Sequence, residues 1–131
     1  MLTIGMEATV ERFVTYEITA KALGNGELAV FSTPAVIELV EETARKSIDA
    51  DLEPGQGTVG TMISIAHMAP TFEGMTAVCK TVLKEIDRKR LVFDVLVTDD
   101  AGIVAKGTHE RFIIDNEKFL KNALKRAGRD S

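Results

Sequence analysis

His67 is the last residue but one of the stretch TVGTMISIAHM, in which the alternate positions Val59, Thr61, Ile63 and Ile65 precede it on one side of a strand-like run. An imidazole with a free pKa near neutrality, placed in line with isoleucines, suits general acid–base chemistry. Two further groups complement it. Thr33 stands at the entrance of the run FSTPAVIELVEETARKSIDA and offers a hydroxyl. Glu41 follows eight residues later. Projected at about 100° per residue, it falls at the border of an apolar half-wheel of Val36, Ile37, Leu39, Val40, Ala44 and Ile48. Its neighbour Glu42 falls on the wet side with Glu38, Arg45, Lys46 and Asp49. A border carboxylate can activate water or orient an imidazole. The loop GQGTVG adds Gly57 and Gly60. Without a Cβ, a glycine N–H can come close to a ligand carbonyl, the arrangement that holds an oxyanion.

Each residue also has a plainer use. Thr33 fits a helix N-cap, with Pro34 at the first helical position. Glu41 fits a solvated long side chain. His67 fits a buried ring satisfied by a backbone carbonyl, and Gly60 fits a β-bulge. The second histidine, in GTHER, alternates with Ala105, Gly107, Arg111 and Ile113, which suggests a polar cluster supporting a site, or an interface. Other chemistries find no support. The single cysteine, Cys79, lies mid-strand far from either histidine and reads as core packing. No G-x-S-x-G elbow, phosphate loop or dinucleotide fingerprint occurs. Two histidines and one cysteine offer no zinc-type spacing, so neither metal nor cofactor is expected.

The elements that must position these residues are legible in outline. The 131 residues suit one domain spanning 1–131, and 45% apolar with 27% charged residues is a globular composition. A formal charge of −4 argues against a nucleic-acid partner. Local basic groups remain at Lys84, Arg88, Lys89 and Arg90 and along the tail at Lys118, Lys121, Lys125, Arg126 and Arg129, where they suit the phosphates of a nucleotide-bearing small molecule. No apolar run is long enough to span a membrane, and the start of the chain lacks the pattern of a signal peptide. Together with the absence of cysteine pairs this suggests the cytoplasm.

Residues 6–19 read as a strand, followed by a turn at Asn25-Gly26 and a short extended piece at 28–31. The long helix should run from Thr33 to about Asp49 or Ala50, with Glu42 and Lys46 as an i,i+4 ion pair. Four strand-like runs follow, at 57–68, 75–86, 90–99 and 103–114, joined by short turns at 87–89 and 99–102 and a longer corner at 70–74, and read as an antiparallel meander of four strands. Residues 115–131 read as a short C-terminal helix with a fraying end. Short hairpins imply antiparallel neighbours, and one helix this apolar needs a sheet to cover it. The expected fold is α+β: a curved antiparallel sheet wrapped around one long central helix, the hotdog architecture, with a flatter two-layer sandwich as the alternative.

Three blocks, FSTPAVIELVEETA, LEPGQGTVGTMISIAHMAPTFEG and GTHERFIIDNEKF, together resemble the fluoroacetyl-CoA thioesterase type of hotdog protein from about Phe31 to Phe119. That resemblance implies hydrolysis of an acyl-CoA by a Thr–Glu–His set. Thr33, Glu41 (not Glu42) and His67 occupy the matching positions, and Gly60 matches the glycine whose N–H approaches the thioester carbonyl. It also implies a homodimer, or a tetramer, with a continuous sheet and a site near the subunit interface. One segment departs from the pattern. Before the long helix this chain has only KALGNGELAVF, with Phe31 as its sole aromatic, where the fluoroacetate-specific protein has a longer aromatic-rich lid. Phe31 is therefore the residue expected against the substrate, and the acyl group expected is small and otherwise unspecified. A non-catalytic acyl-CoA-binding module is the alternative on the same fold. A hotdog hydratase is disfavoured, because the Asp of its D-x-x-x-x-H pattern is replaced by Met62 before His67 and by Val104 before His109.

Overall fold

In the computed structural model, which describes residues 1–129, the chain forms β1 (Glu7–Phe13), α1 (Ala20–Leu23), α2 (Thr33–Ile48), β2 (Gln56–His67), β3 (Thr76–Asp87), β4 (Arg90–Asp99), β5 (Gly102–Asp115) and α3 (Asn116–Arg126). The five strands make one antiparallel sheet in the order β1-β3-β4-β5-β2, with α2 packed on one face.

The apolar periodicity of α2 explains that packing. Val36, Leu39, Val40, Ala44 and Ile48 are buried as expected, with Ala35 and Thr43 beside them, whereas Ile37 is only half-buried and borders a surface hollow. Val36, Leu39 and Val40 join Val14, Ala77, Cys79, Val95, Val97, Val104 and Ala105 in the main core. Ala44 and Ile48 meet Leu83, Leu91 and Phe93 in a second cluster. Burying each such large side chain contributes about 1.5–3 kcal/mol. Burial in this core also pushes the Cys79 thiol up to about 11, against a weak opposing hydrogen bond from Thr43.

The start of α2 differs from expectation. The N-cap is Ser32, whose hydroxyl accepts from the Ala35 N–H at 3.2 Å. Thr33 is the first helical residue, so its hydroxyl is released from capping. The Glu42–Lys46 pair forms at 3.0 Å, and Arg12 of β1 joins it at 2.8 Å. These cations hold the Glu42 carboxyl below its usual range.

Three other expectations need correction. The first strand ends at Phe13, because Val14 turns inward to full burial and a single 3₁₀ turn follows at Tyr16–Ile18. The piece at 28–31 forms only isolated bridges, Thr19 to Phe31 and Val30 to Phe72. β2 and β3 are not neighbours. The corner after His67 carries the chain across the end of the sheet, so β2 pairs with β5 at the far edge and the meander is confined to β3, β4 and β5.

The two sheet edges are unlike. β1 carries Glu7, Glu11 and Arg12, whereas β2, QGTVGTMISIAH, carries no Asp, Glu, Lys or Arg along 12 residues. The pairing of β2 with β5 also slips between Gly60 and Met62, leaving Thr61 as the extra residue of a bulge. The bulge reverses the alternation. Ile63, Ile65 and His67 face α2, but on the other side of Thr61 it is Gly60 and Thr58 that do so, rather than Val59. α3 begins beneath an Asp115 cap, which accepts from the Lys118 N–H at 3.0 Å. The expected fraying at the end falls partly on residues 130 and 131, which lie outside the described residues.

Candidate active site

The hydroxyl of Thr33 meets Nδ1 of His67 at 2.8 Å. The first turn of α2 and the last residue of β2 therefore share a hydrogen bond, made possible because Ser32 has taken over the cap. The other ring nitrogen, Nε2, is buried and has no partner. A buried unmet donor or acceptor costs about 1–3 kcal/mol, so its retention calls for an explanation in function. Burial lowers the pKa of His67, and the Ala69 backbone offsets this only in part. The ring is thus neutral at neutral pH and available as a base. Beside the pair opens a mainly apolar cleft of about 560 Å³, whose walls include Ala20, Val30, Phe31, Pro34, Met68 and Pro70. Phe31, 1% exposed, belongs to the core and reaches the cleft as part of its wall.

Glu41 sits in a second cluster. Its Oε2 accepts from Nη1 of Arg111 at 3.2 Å. Arg111, buried among β2 and β5, also donates from Nε to the Thr58 hydroxyl at 2.8 Å and from Nη2 to the Thr58 carbonyl at 3.1 Å. Its Nη1 reaches Nε2 of His109 at 3.3 Å. Because Arg111 can only donate, Nε2 of His109 is the acceptor, and Nδ1–H donates to the Met62 carbonyl at 2.8 Å. His109 stacks on Phe93 with ring centroids 6.1 Å apart, and burial lowers its pKa. Burial also works against the charge on Arg111, with Glu41 as the main opposing influence. Gly60 lies against the carboxylate: a Cβ there would overlap Oε2 of Glu41. A cavity of about 250 Å³ is bounded by Glu41, Gly60, Thr61, Met62, Ile63 and His109.

Within one chain the two clusters stay apart. Thr33 and Glu41 are separated by about 12 Å along α2, at 1.5 Å per residue. His67 and Gly60 are separated by about 23 Å along β2, at about 3.3 Å per residue. Pro34 borders the cleft at Thr33 and also a surface hollow that contains Glu41 and Arg111.

The model of the family described as fluoroacetyl-CoA-specific thioesterase matches residues 14–117. A fluoroacetyl-CoA thioesterase from Streptantibioticus cattleyicolor is 36% identical over 90 residues, 69% of this chain. The chain belongs to the fluoroacetyl-CoA-specific thioesterase family. The match spans 65% of the length of that relative. Among solved structures, a fluoroacetyl-CoA thioesterase superposes with a TM-score of 0.87 at 31% identity, covering 97% of each chain. A Phe-to-Ala mutant of such an enzyme, in complex with fluoroacetate and CoA, gives a TM-score of 0.85 at 30% identity over 90% of this chain and 99% of that one.

Against this family background, the fold brings Thr33 to His67 and Glu41 to Gly60, and one chain does not bring the two pairs together. Arg111 is the residue that sequence reasoning left without a role. The alternation of β5 put it on the same face as His109, but nothing local reveals that Glu41 arrives from α2 to meet it. The basic turn at 84–90 is largely neutralised by its own neighbours: Arg90 pairs with Glu85 and Glu110, and Lys84 with Asp94. Among the described residues no cluster of His, Cys, Asp and Glu has the makings of a metal site, and no helix is long and apolar enough to cross a membrane.

Proposed function

We propose that the protein is an acyl-CoA thioesterase that works as a two-fold dimer joined through β2. The observation that carries this reading is the division of the site between the two ends of an uncharged edge strand. An antiparallel pairing of β2 with its copy, centred on Ser64, sets Ile65 opposite the partner's Ile63 and Ala66 opposite the partner's Met62. Because Thr61 is bulged out, the next step sets His67 opposite the partner's Gly60. The Thr33–His67 pair of one chain then faces the Glu41–Gly60 pair of the other, and each dimer holds two complete sites.

In each site the thioester carbonyl is held by the N–H of Gly60, which stabilises the oxyanion as it develops. Glu41, kept in place by Arg111, either takes a proton from the attacking water or itself adds to the carbonyl carbon. Where water attacks, the proton taken up by Glu41 is relayed through His67 to the sulfur as the carbon–sulfur bond breaks; where Glu41 attacks, the carbon–sulfur bond breaks to leave an acyl-Glu anhydride, and neutral His67 takes a proton from the water that hydrolyses it and passes it to the thiolate. Thr33 orients the ring. The products are a carboxylic acid and the CoA thiol. Neither metal nor cofactor enters these steps. Acyl-CoA, the ligand class of the relatives, is the proposed substrate class, with a small acyl group; fluoroacetyl-CoA is the first ester to test. A CoA-ester substrate and a chain without cysteine pairs support the cytoplasm as the proposed location.

Thiol release measured over short, branched, aryl and fluorinated acyl-CoAs tests the reading. Turnover of at least one small ester is expected, with loss of at least about 10²-fold in kcat/KM for His67→Ala and for Glu41→Gln. Saturable binding of CoA esters without thiol release, or wild-type turnover in both variants, overturns it.

A further inference from the structure

His109 takes no part in the steps proposed above, yet it touches both halves of the Glu41–Gly60 pair at one remove. It alternates with Arg111 along β5, so both side chains stand on the face of the sheet that meets Glu41. Both are buried, at 1% and 6% exposure.

One side of the ring serves the carboxylate. Nε2 accepts from Nη1 of Arg111 at 3.3 Å, and that Nη1 also donates to Oε2 of Glu41 at 3.2 Å. The two hydrogens of Nη1 lie in the guanidinium plane and diverge. With one taken by His109, the other is aimed at Glu41. The rest of the guanidinium, Nε and Nη2, is held by Thr58. His109 supplies the fixed point on the remaining nitrogen, without which the plane can tilt away from the carboxylate.

The other side of the ring serves the backbone. Nδ1–H donates to the Met62 carbonyl at 2.8 Å. The pairing of β2 with β5 stops at Gly60 and resumes at Met62. A bulge disrupts the ladder locally, so a side-chain bond to a carbonyl beside it restores a fixed point. The ring therefore steadies the chain next to the peptide that offers the Gly60 N–H. Gly60 in turn lies so close to Glu41 that an added Cβ would overlap Oε2. Phe93 of β4, stacked with its centroid 6.1 Å away, sets the plane of the ring itself.

We infer that His109 is a positioning residue, whose ring sets where the Glu41 carboxylate and the Gly60 N–H stand relative to one another. The inference rests on the thioesterase reading above, in which Glu41 is the base or nucleophile and Gly60 the oxyanion donor. The spacing of those two groups decides whether a carbonyl held by Gly60 presents its carbon to the attacking oxygen. A displacement of about 1 Å at such a site costs about 10²-fold in rate.

Two substitutions separate the two bonds. His109→Asn puts an amide level with Nδ1, which keeps a donor for the Met62 carbonyl and removes the acceptor for Arg111. His109→Gln puts an amide oxygen level with Nε2, which keeps the acceptor and removes the donor. The full-length variants are compared by thiol release over the acyl-CoA panel, by urea unfolding and by nitrogen–proton correlation spectra. In those spectra the Arg111 Nε–H and the Gly60 amide report on the two groups without any substrate. His109→Asn is expected to shift the Arg111 signal and to lower kcat by about 10²-fold with KM nearly unchanged. His109→Gln is expected to keep the Arg111 signal, shift the Gly60 amide and lose less of kcat. Unmoved signals in both variants, or wild-type kcat in both with only the unfolding midpoint lowered, overturn the positioning role and leave His109 as core packing. If the wild-type chain releases no thiol while the signals move as expected, the thioesterase reading falls and the brace between Arg111 and the bulge stands.

Discussion

Burial keeps both histidines neutral, but they are bound differently, and the difference separates their roles. His109 has both nitrogens engaged, by Met62 and Arg111, whereas His67 keeps one nitrogen free. Both rings take a proton more readily in the unfolded chain, where the pKa is near 6.5, than in the fold, where it is lower. Their contribution to stability is therefore present above about pH 6.5 and is lost as the pH falls through 6.5 towards the folded values. The urea midpoint should drop between about pH 7.5 and 5.5, and His109→Gln should flatten that slope; an unchanged slope counts against the burial argument. Gly60→Ala makes a second prediction. Its methyl would meet the tip of a flexible side chain, so the fold should survive while the Glu41 carboxylate is displaced from Arg111. Thermal unfolding should move little, and thiol release should fall by about 10²-fold, the cost of misplacing by about 1 Å the carboxylate proposed to be catalytic. Arg111→Met should cost stability as well, about 1–3 kcal/mol by urea unfolding, because Nε2 of His109 and Thr58 lose their donor.

The start of α2 allows capping and chemistry to be separated by adjacent substitutions. Ser32→Ala should cost about 1 kcal/mol of stability, the usual value of an N-cap, and leave the Thr33–His67 bond in place. Thr33→Val should do the reverse, lowering turnover with little change in melting. Equal effects of the two on stability would show that the hydroxyl of Thr33 does carry the cap. The same helix shows how far a sequence can be read. Its span, its buried face and the Glu42–Lys46 pair follow from periodicity, which reports local geometry. So do the strands β3 to β5, since short turns force neighbours to pair. The partner of β2 was not legible, because it depends on where a longer corner carries the chain. The bulge at Thr61 was hidden for a related reason: alternation assumes an unbroken ladder, and Gly60 was only a hint of the slip. Thr33, Glu41, His67 and Gly60 stood out in the sequence as candidates, but their division into two pairs did not. It arises from the distance between the ends of β2, a property of the folded sheet.

At the level of the whole molecule, the site and the assembly are one question. Ser64 falls on the proposed two-fold axis, so Ser64→Lys sets two like charges face to face across the interface, which disfavours pairing. Sedimentation should then show monomer at micromolar concentration, with an unchanged circular dichroism spectrum and thiol release reduced by at least about 10²-fold, as for loss of a catalytic group. Full activity in a monomeric Ser64→Lys protein would place the whole reaction within one chain. The charges on β1 bear on what happens after pairing. Open strand edges are templates for further addition, and charged side chains are a recognised way of blocking them. With Glu7, Glu11 and Arg12 along β1, each end of the proposed doubled sheet would be closed to a third copy. For the proposed dimer, the consequence is an assembly that ends at two, whose bare edges are spent on each other while its outer rims repel further stacking into fibres.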